Sequence, residues 1–294
     1  MTGIVNSGSG FSRAPGFRGL RVFEGSGLPG ASKEDNVSDR HSVVVRDLTK
    51  RFGKLAAVHD LSFEVNWGEF FGFLGPNGAG KTTTIKMLCG LMKPTCGSAE
   101  VAGIDVLADP LKVKAKIGIL PEEINTYERL TGEELLTFSG LMHGLPEHEV
   151  RHRAEDLLDL LDLSGEEGRK LVIDYSMGMK KKIALACALI HSPEILFLDE
   201  PFNGVDAISS KAIQRVLTAM TEKGVTIFFS SHVLEVVEKL CNDIAIIHQG
   251  RLRARGSLDE LRTQMAMGPE DSLSDVFIKI CGAEGKEKRL DWIG

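Results

Sequence analysis

No stretch of this sequence longer than 12 residues is free of Asp, Glu, Lys and Arg, the two longest being Met1–Ser12 and Leu135–Pro146. A membrane-spanning helix needs about 20 predominantly apolar residues, so none is expected. A basic surplus is also missing, because 35 Lys and Arg face 41 Asp and Glu for a formal net charge of -6. Without a positive field to neutralise phosphates, nucleic acid is not an expected partner. Cysteine is sparse and unpaired. Cys89, Cys96, Cys187, Cys241 and Cys281 are odd in number and scattered, which reads as reduced thiols in a cytosolic protein. No Cys or His pair has metal-ligand spacing, and His143, His148 and His152 lie in a polar helical stretch where solvated side chains are expected.

The first forty residues lack any apolar period and any acidic residue before Glu24, and they contain eight glycines. So little apolar surface cannot offset chain entropy, and residues 1–41 are expected to form a disordered arm. The spacing of Arg13, Arg18 and Arg21 suits an organelle transit peptide, but Gly8, Gly10, Pro15, Gly16 and Gly19 break the helix such a signal needs. Met1–Phe23 also has no continuous apolar segment, so no secretory signal is expected.

What is present begins at Ser42. The 294 residues suffice for a large buried core. β-Branched and aromatic runs at Val43–Val45, Leu61–Val65, Phe70–Leu74, Ile117–Leu120, Ile195–Leu198, Val225–Phe229 and Ile244–Ile247 predict strands. Helical patterns cover Lys81–Leu91, Gly132–His143, His148–Leu163, Gly178–Ile190, Ser209–Glu222 and Leu234–Leu240. This alternation predicts an α/β fold with a mostly parallel core sheet. Residues 122–175 read as entirely helical, with leucines at Leu157, Leu158, Leu160 and Leu161, and form a predicted helical insertion between core strands.

Directly after the Phe70–Leu74 strand, Gly75-Pro76-Asn77-Gly78-Ala79-Gly80-Lys81-Thr82 fits the phosphate-binding pattern G-x-x-x-x-G-K-[ST] and leads into a helix. Its glycines let backbone N–H groups converge on phosphates at a positive helix end. Lys81 then reaches the β and γ phosphates, and the Thr82 hydroxyl can ligate Mg²⁺. A chance match arises in about one chain in a hundred of this length, and the strand and helix context separates this one from chance. Further on, the apolar run Ile195–Leu198 ends in Asp199 and Glu200. Asp199 is suited to the Mg²⁺ shell and Glu200 to polarising an attacking water. Asn203-Gly204-Val205-Asp206 follows, and a later apolar strand ends at His232. Alone, such a histidine reads as an ordinary hydrogen-bonded surface residue.

With Tyr175-Ser176-Met177-Gly178-Met179-Lys180 added, the chain from Val43 to Leu261 resembles the nucleotide-binding subunit of ABC transporters. The order and spacing of Lys81, Ser176, Asp199 and His232 fit that family. The resemblance implies a P-loop NTPase fold of ABC ATPase type with an antiparallel β portion, and a domain at residues 42–261. It implies a C-terminal helical extension at 262–294, in which Ser272–Lys279 packs on the core and the charged Gly285–Arg289 run is a solvated end. The implied ligands are ATP and Mg²⁺. Gly75, Asn77, Gly78, Ala79, Gly80, Lys81, Thr82 and Thr83 would cradle phosphate, Phe52 would stack on adenine, and Thr82, Glu122 and Asp199 would serve the metal. A plain core or surface role for Phe52 stays open. Glu200, His232 and Lys81 are the implied catalytic residues. Ser176 and Gly178 would close on the γ phosphate held by a second, head-to-tail copy, and Asp206 is counted with the nucleotide contacts.

Glu122 stands where the family usually has glutamine, and Met177 and Met179 where glycine and glutamine are commoner. These departures are similar to the single-domain ATPases of ABC-2, export-type permeases. The implied partner is a separately encoded membrane permease, touched near Glu122–Arg129, with the chain cytoplasmic and peripheral on the inner face of the cell membrane. A soluble ABC-type ATPase acting on ribosomes or DNA is the alternative, although the long coiled coils of one such group and the doubled domains of the other are absent. A P-loop kinase or GTPase leaves the Ser176 segment unexplained. Lys81→Ala removes the cation facing the phosphates, so ATP turnover by the purified variant should vanish and nucleotide binding should weaken. A wild-type rate would remove the loop's assignment.

Overall fold

Charge-free runs of β-branched and aromatic residues are stable only where both faces of the strand are covered, and that requirement organises the chain. The computed structural model describes residues 40–282. The predicted arm up to residue 39 and the Gly285–Arg289 run lie outside the described residues. Strands β1 (His41–Phe52), β2 (Leu55–Asn66), β4 (Cys96–Val101) and β5 (Ile104–Asp105) form an antiparallel sheet in the order β2-β1-β4-β5. Strands β3 (Phe70–Leu74), β6 (Ile117–Leu120), β7 (Ile195–Asp199), β8 (Thr226–Ser231), β9 (Asp243–His248) and β10 (Arg251–Gly256) form the second sheet, in the order β10-β9-β3-β8-β7-β6. Its pairings are parallel except for the β9–β10 hairpin.

The period of two along each central strand sends alternate side chains to two separate cores. Phe71 and Phe73 of β3, Phe197 of β7 and Phe228 of β8 face the antiparallel sheet and helix α1 (Lys81–Leu88). There Phe228 contacts Phe71, Phe73 and Phe197 at ring-centroid distances of 5.1, 5.3 and 5.4 Å, and Phe63 of β2 completes the layer. Phe70, Leu74, Leu196, Leu198, Ile227 and Phe229 face the opposite side. That side is covered by α6 (Met177–Leu189), α7 (Ala207–Glu222) and α8 (Leu234–Leu240).

Helix α2 (Pro110–Lys116) leads into β6, and the predicted insertion holds α3 (Gly132–Met142), α4 (Glu147–Leu160), the short α5 (Glu166–Arg169) and a 3₁₀ turn at Val172–Asp174. An isolated bridge between Thr131 and Leu171 closes it. Helices α9 (Leu258–Gln264) and α10 (Leu273–Cys281) start on capping boxes at Ser257 and Ser272, and fully buried Leu273 and Val276 share the core of α7 and α8. Among the described residues no helix is long and apolar enough to cross a membrane.

His143 is exposed, as its polar surroundings predict, but one face of its ring is covered. Its imidazole is stacked on that of His191 with centroids 3.7 Å apart and the rings 1° from parallel. His143 caps α3, whereas His191 follows α6 and bonds through Nε2 to the carbonyl of Ile117, 3.0 Å away. A ring nitrogen facing a carbonyl must donate, so the Nε2–H tautomer is assigned and Nδ1, buried without a partner, is unprotonated. Burial first, then the facing His143 and Arg153, push the pKa of His191 down to about 4. The neutral ring is therefore the folded form, and the unfolded chain binds the extra proton first, near the usual value of 6.5. Stability should fall as pH drops from about 6.5 towards 4. A His191→Asn variant should show a shallower acid dependence in thermal melts between pH 7 and 5, and an unchanged slope would rule out this histidine.

Candidate functional site

The carboxyl ends of β3, β8, β7 and β6 lie side by side, and each passes directly into one of the segments singled out by sequence. After β3 the loop from Gly75 to Gly80 turns into α1. Gly78 and Gly80 have φ of 78° and 105°, the left-handed region that only glycine occupies freely. At Gly80 a Cβ would also lie 2.5 Å from the carbonyl of Ala57, and at Gly75 one would lie 2.4 Å from that of Ile247. The loop is held by Gly250 N–H donating to Ala79 and by Thr84 Oγ1 donating to the Gly80 carbonyl. Gly80, as N-cap, provides no side-chain acceptor, which leaves first-turn N–H groups of α1 for an external anion. Asn77 and Gly78 are exposed at the loop tip, while Thr82 and Thr83 are half-buried at the helix start.

Lys81 turns back over this loop and is 7% exposed. Its Nζ donates to the carbonyl of Gly75 at 2.8 Å and lies 3.3 Å from Glu200 Oε1. The other Glu200 oxygen accepts from the backbone N–H of His232 at 3.2 Å and from its Nδ1 at 2.8 Å. A proton on Nδ1 leaves Nε2 as the free acceptor of this half-exposed ring. Oε1 is close enough to Lys81 to form an ion pair but is not aligned for a hydrogen bond, so it is a buried oxygen lacking a hydrogen-bonded donor. Glu200 is 4% exposed and has φ of 50°, a strained conformation for a side-chain-bearing residue that costs about 1–3 kcal/mol. Its neighbour Asp199, 3% exposed, accepts from Ser230 Oγ at 2.5 Å. The two residues face each other in the β7–β8 register.

A residue that sequence reading missed completes the cluster. Lys181 of α6 is 1% exposed and donates from Nζ to the carbonyls of Glu122 and Glu200, at 3.0 and 3.1 Å. Burial pulls its pKa below the usual lysine range, against the upward pull of Glu122, Asp199 and Glu200. Its place within the Lys180–Lys182 run conceals it in the sequence. Its phase was the available signal, because Gly178, Lys181, Leu185 and Ala188 form one buried stripe of the helix.

The remaining predicted residues fall into other groups. Glu122 is brought to the cluster through its carbonyl, and its side chain is exposed. Among the described residues no group of three or more His, Cys, Asp or Glu side chains is arranged to hold a metal. Phe52 is 48% exposed, with Lys50 Nζ 5.3 Å from its ring centroid; this removes the core reading. Ser176 is the exposed N-cap of α6, accepting from Met179 N–H at 3.2 Å. Gly178 packs so closely that a Cβ would lie 2.6 Å from both Asp206 Oδ2 and Ser209 Oγ. Asp206 caps α7 by accepting from Ile208 and Ser209, and Ser209's backbone N–H and hydroxyl foremost hold its carboxyl below the usual range. Ser176, Gly178 and Asp206 therefore form a second constellation, separate from the one around Lys81.

A family profile described as "ABC transporter" matches residues 58–203. The chain is 40% identical over 219 residues to the linearmycin resistance ATP-binding protein LnrL of Bacillus subtilis, covering 74% of this chain and 70% of that one. The chain belongs to the ABC transporter ATP-binding family. It is 35% identical over 285 residues to the probable multidrug ABC transporter ATP-binding protein YbhF of Escherichia coli, covering 95% of this chain but only 46% of that protein. This ABC chain thus spans about half the length of that relative. A solved ATP-binding subunit of an ABC transporter superposes with a TM-score of 0.75 at 32% identity, over 81% of this chain and 98% of that one. The fold is that of an ABC ATPase cassette.

Gly80→Ala combines a disallowed φ with a backbone collision. It should lower stability by about 1–3 kcal/mol in denaturant melts and weaken ATP binding at least tenfold in a fluorescence titration. Wild-type binding would show that the loop does not receive phosphate.

Proposed function

We propose that the chain binds and hydrolyses ATP to power a separately encoded membrane permease, working as an exporter from the cytoplasmic face of the membrane. The observation that carries this reading is the buried contact of Lys81 with Glu200 beside the glycine loop, with His232 on the other carboxylate oxygen. Lys81 has as partners the carbonyls of Gly75 and Pro76 and a carboxylate oxygen, any of which a phosphate oxygen can replace. Oε1 of Glu200, buried without a hydrogen-bonded donor, is suited to accept the proton of a water attacking the γ phosphorus as the bond to the bridging oxygen breaks. His232, bound to the other Glu200 oxygen through Nδ1, holds that carboxylate in its orientation beside the phosphate loop.

The donor set also fits Mg²⁺, since Thr82 and Asp199 supply hard oxygens beside the phosphate loop. Bound with ATP, the cation neutralises phosphate charge. Ser230 fixes Asp199 for that role. Phe52, exposed on the surface, suits stacking on adenine.

The exposed Ser176 end of α6 supports a head-to-tail dimer, because its first turn carries no acidic residue and its N–H groups suit the γ phosphate held by the second copy. The permease reading is supported by the names of LnrL and YbhF. It is also supported by an apolar patch on the insertion, where exposed Tyr127 packs edge-on against Phe138 at 5.1 Å beside exposed Leu141 and Met142. This patch lies in and next to the predicted Glu122–Arg129 contact and suits an apolar permease segment.

Loss of charge at the two adjacent carboxylates should have different effects. Glu200→Gln keeps the shape but removes the base, so it should bind Mg-ATP, turn it over very slowly and elute as an ATP-bound dimer in size exclusion. Asp199→Asn should fail to form that dimer, and ADP should support it in neither variant. A Glu200→Gln protein that stays monomeric well above its ATP affinity, alone and with its solubilised permease, would overturn the paired-site mechanism.

A further inference from the structure

Glu200 occupies a left-handed backbone conformation, and something must hold it there. Its N–H donates to both the carbonyl and the Oγ of Ser230, 3.2 Å away in each case. Its carbonyl is held by Lys181 Nζ. The same ammonium binds the carbonyl of Glu122 in the loop after β6, and it is carried on the helix whose first residues are Met177 and Gly178. One buried cation thus joins three segments that are far apart in sequence: the helix behind the Ser176 cap, the strand end bearing Glu200, and the Glu122 loop leading to the insertion.

We propose that Lys181 is a positioning residue for ATP hydrolysis. By donating to the Glu200 and Glu122 carbonyls, it sets the Glu200 carboxylate in line and couples it to movement of the Glu122 loop and of the Ser176 end of α6. Three features make lysine the suitable residue. An ammonium carries several donors and reaches two carbonyls from one buried point. Asp199 and Glu200 offset part of the cost of burying its charge. A neutral isostere fills the same volume but holds neither carbonyl, which frees the strained residue to relax. The proposal rests on the ATPase reading, and it gives Lys181 no contact with substrate.

The test uses the full chain and three variants, with ATP as the probe. Lys181→Met should lower kcat about 10- to 100-fold, the range expected for a displaced reacting group, while KM and directly titrated ATP affinity stay within about threefold. Lys181→Gln, which keeps amide donors, should recover part of that loss. Lys182→Met, also buried but paired, among the described residues, with Asp162 at 3.9 Å, should leave kcat near wild type. Wild-type kcat in Lys181→Met overturns the proposal, and so does a parallel loss in Lys182→Met. If Lys181→Met and Lys181→Gln both fail to fold or lose ATP binding together with turnover, Lys181 is structural and the positioning role is also refuted. Absence of ATPase activity in the wild-type chain, by contrast, would count against the underlying functional reading.

Discussion

Four charged side chains, Lys81, Lys181, Asp199 and Glu200, are buried together at the carboxyl end of the parallel sheet, and the architecture around them is governed by the need to keep those charges paired. Removing an ion from water costs several kcal/mol after relaxation, and only close opposite charges and hydrogen bonds offset it. Here two cations face two anions, and the neutral donors come from Ser230 and the backbone of His232. The strand order follows the same constraint. Because β8 lies between β3 and β7, Ser230 and His232 stand next to the carboxylates, and the loop carrying Lys81 reaches past the end of β8 to Glu200. A single replacement in such a set affects more than its own contact, because the opposite charge is left buried and unpaired.

The glycines of the loop bring the chain to that cluster. Gly75 and Gly80 allow the backbone to pass against the carbonyls of Ile247 and Ala57 at distances no side chain permits. The loop is thereby fastened to β9 and to the antiparallel sheet at the same time. That explains why two sheets with different hydrogen-bonding patterns behave as one scaffold. The phenylalanine layer centred on Phe228 fills the space between them, and the loop closes its edge. Packing and site geometry are thus consequences of the same short segment.

Legibility in the sequence divided along physical lines. The central strands β3, β6, β7, β8 and β9 were readable because a strand covered on both faces must be a continuous apolar run, and Ile195–Leu198 and Ile244–Ile247 are such runs. Strands β4, β5 and β10 were not. Cys96–Val101 begins with small residues, Ile104–Asp105 has only two residues, and Arg251–Gly256 alternates arginine with apolar side chains at a sheet edge. Helix α5 has only four residues, and the seven-residue α2 and α9 carry fewer apolar positions than the equally long α8, which was legible from Leu234, Val237 and Leu240. At the site, Lys81, Asp199 and Glu200 were legible because each follows a strand within a fixed motif. Lys181 was masked by Lys180 and Lys182, because three consecutive lysines carry no local sign of which one is tied to a distant segment. The stacking of His143 on His191 was not legible, since the two are remote in sequence and aromatic stacking leaves no local pattern.

The two constellations also explain how a single helix can serve both. Ser176 and Gly178 open α6 on the surface beside Asp206, and Lys181 lies less than one turn beyond Gly178 but is buried against Glu200 and Glu122. An α-helix is stiff over such a distance, at about 1.5 Å per residue. A displacement of its first turn is therefore passed to the Lys181 ammonium rather than absorbed. Gly178 packs directly on Asp206 and Ser209, so that displacement also carries the start of α7. Coupling between distant sites requires an element whose position both of them bias. In this chain that element is α6, and the strained Glu200 backbone is what its position is able to shift.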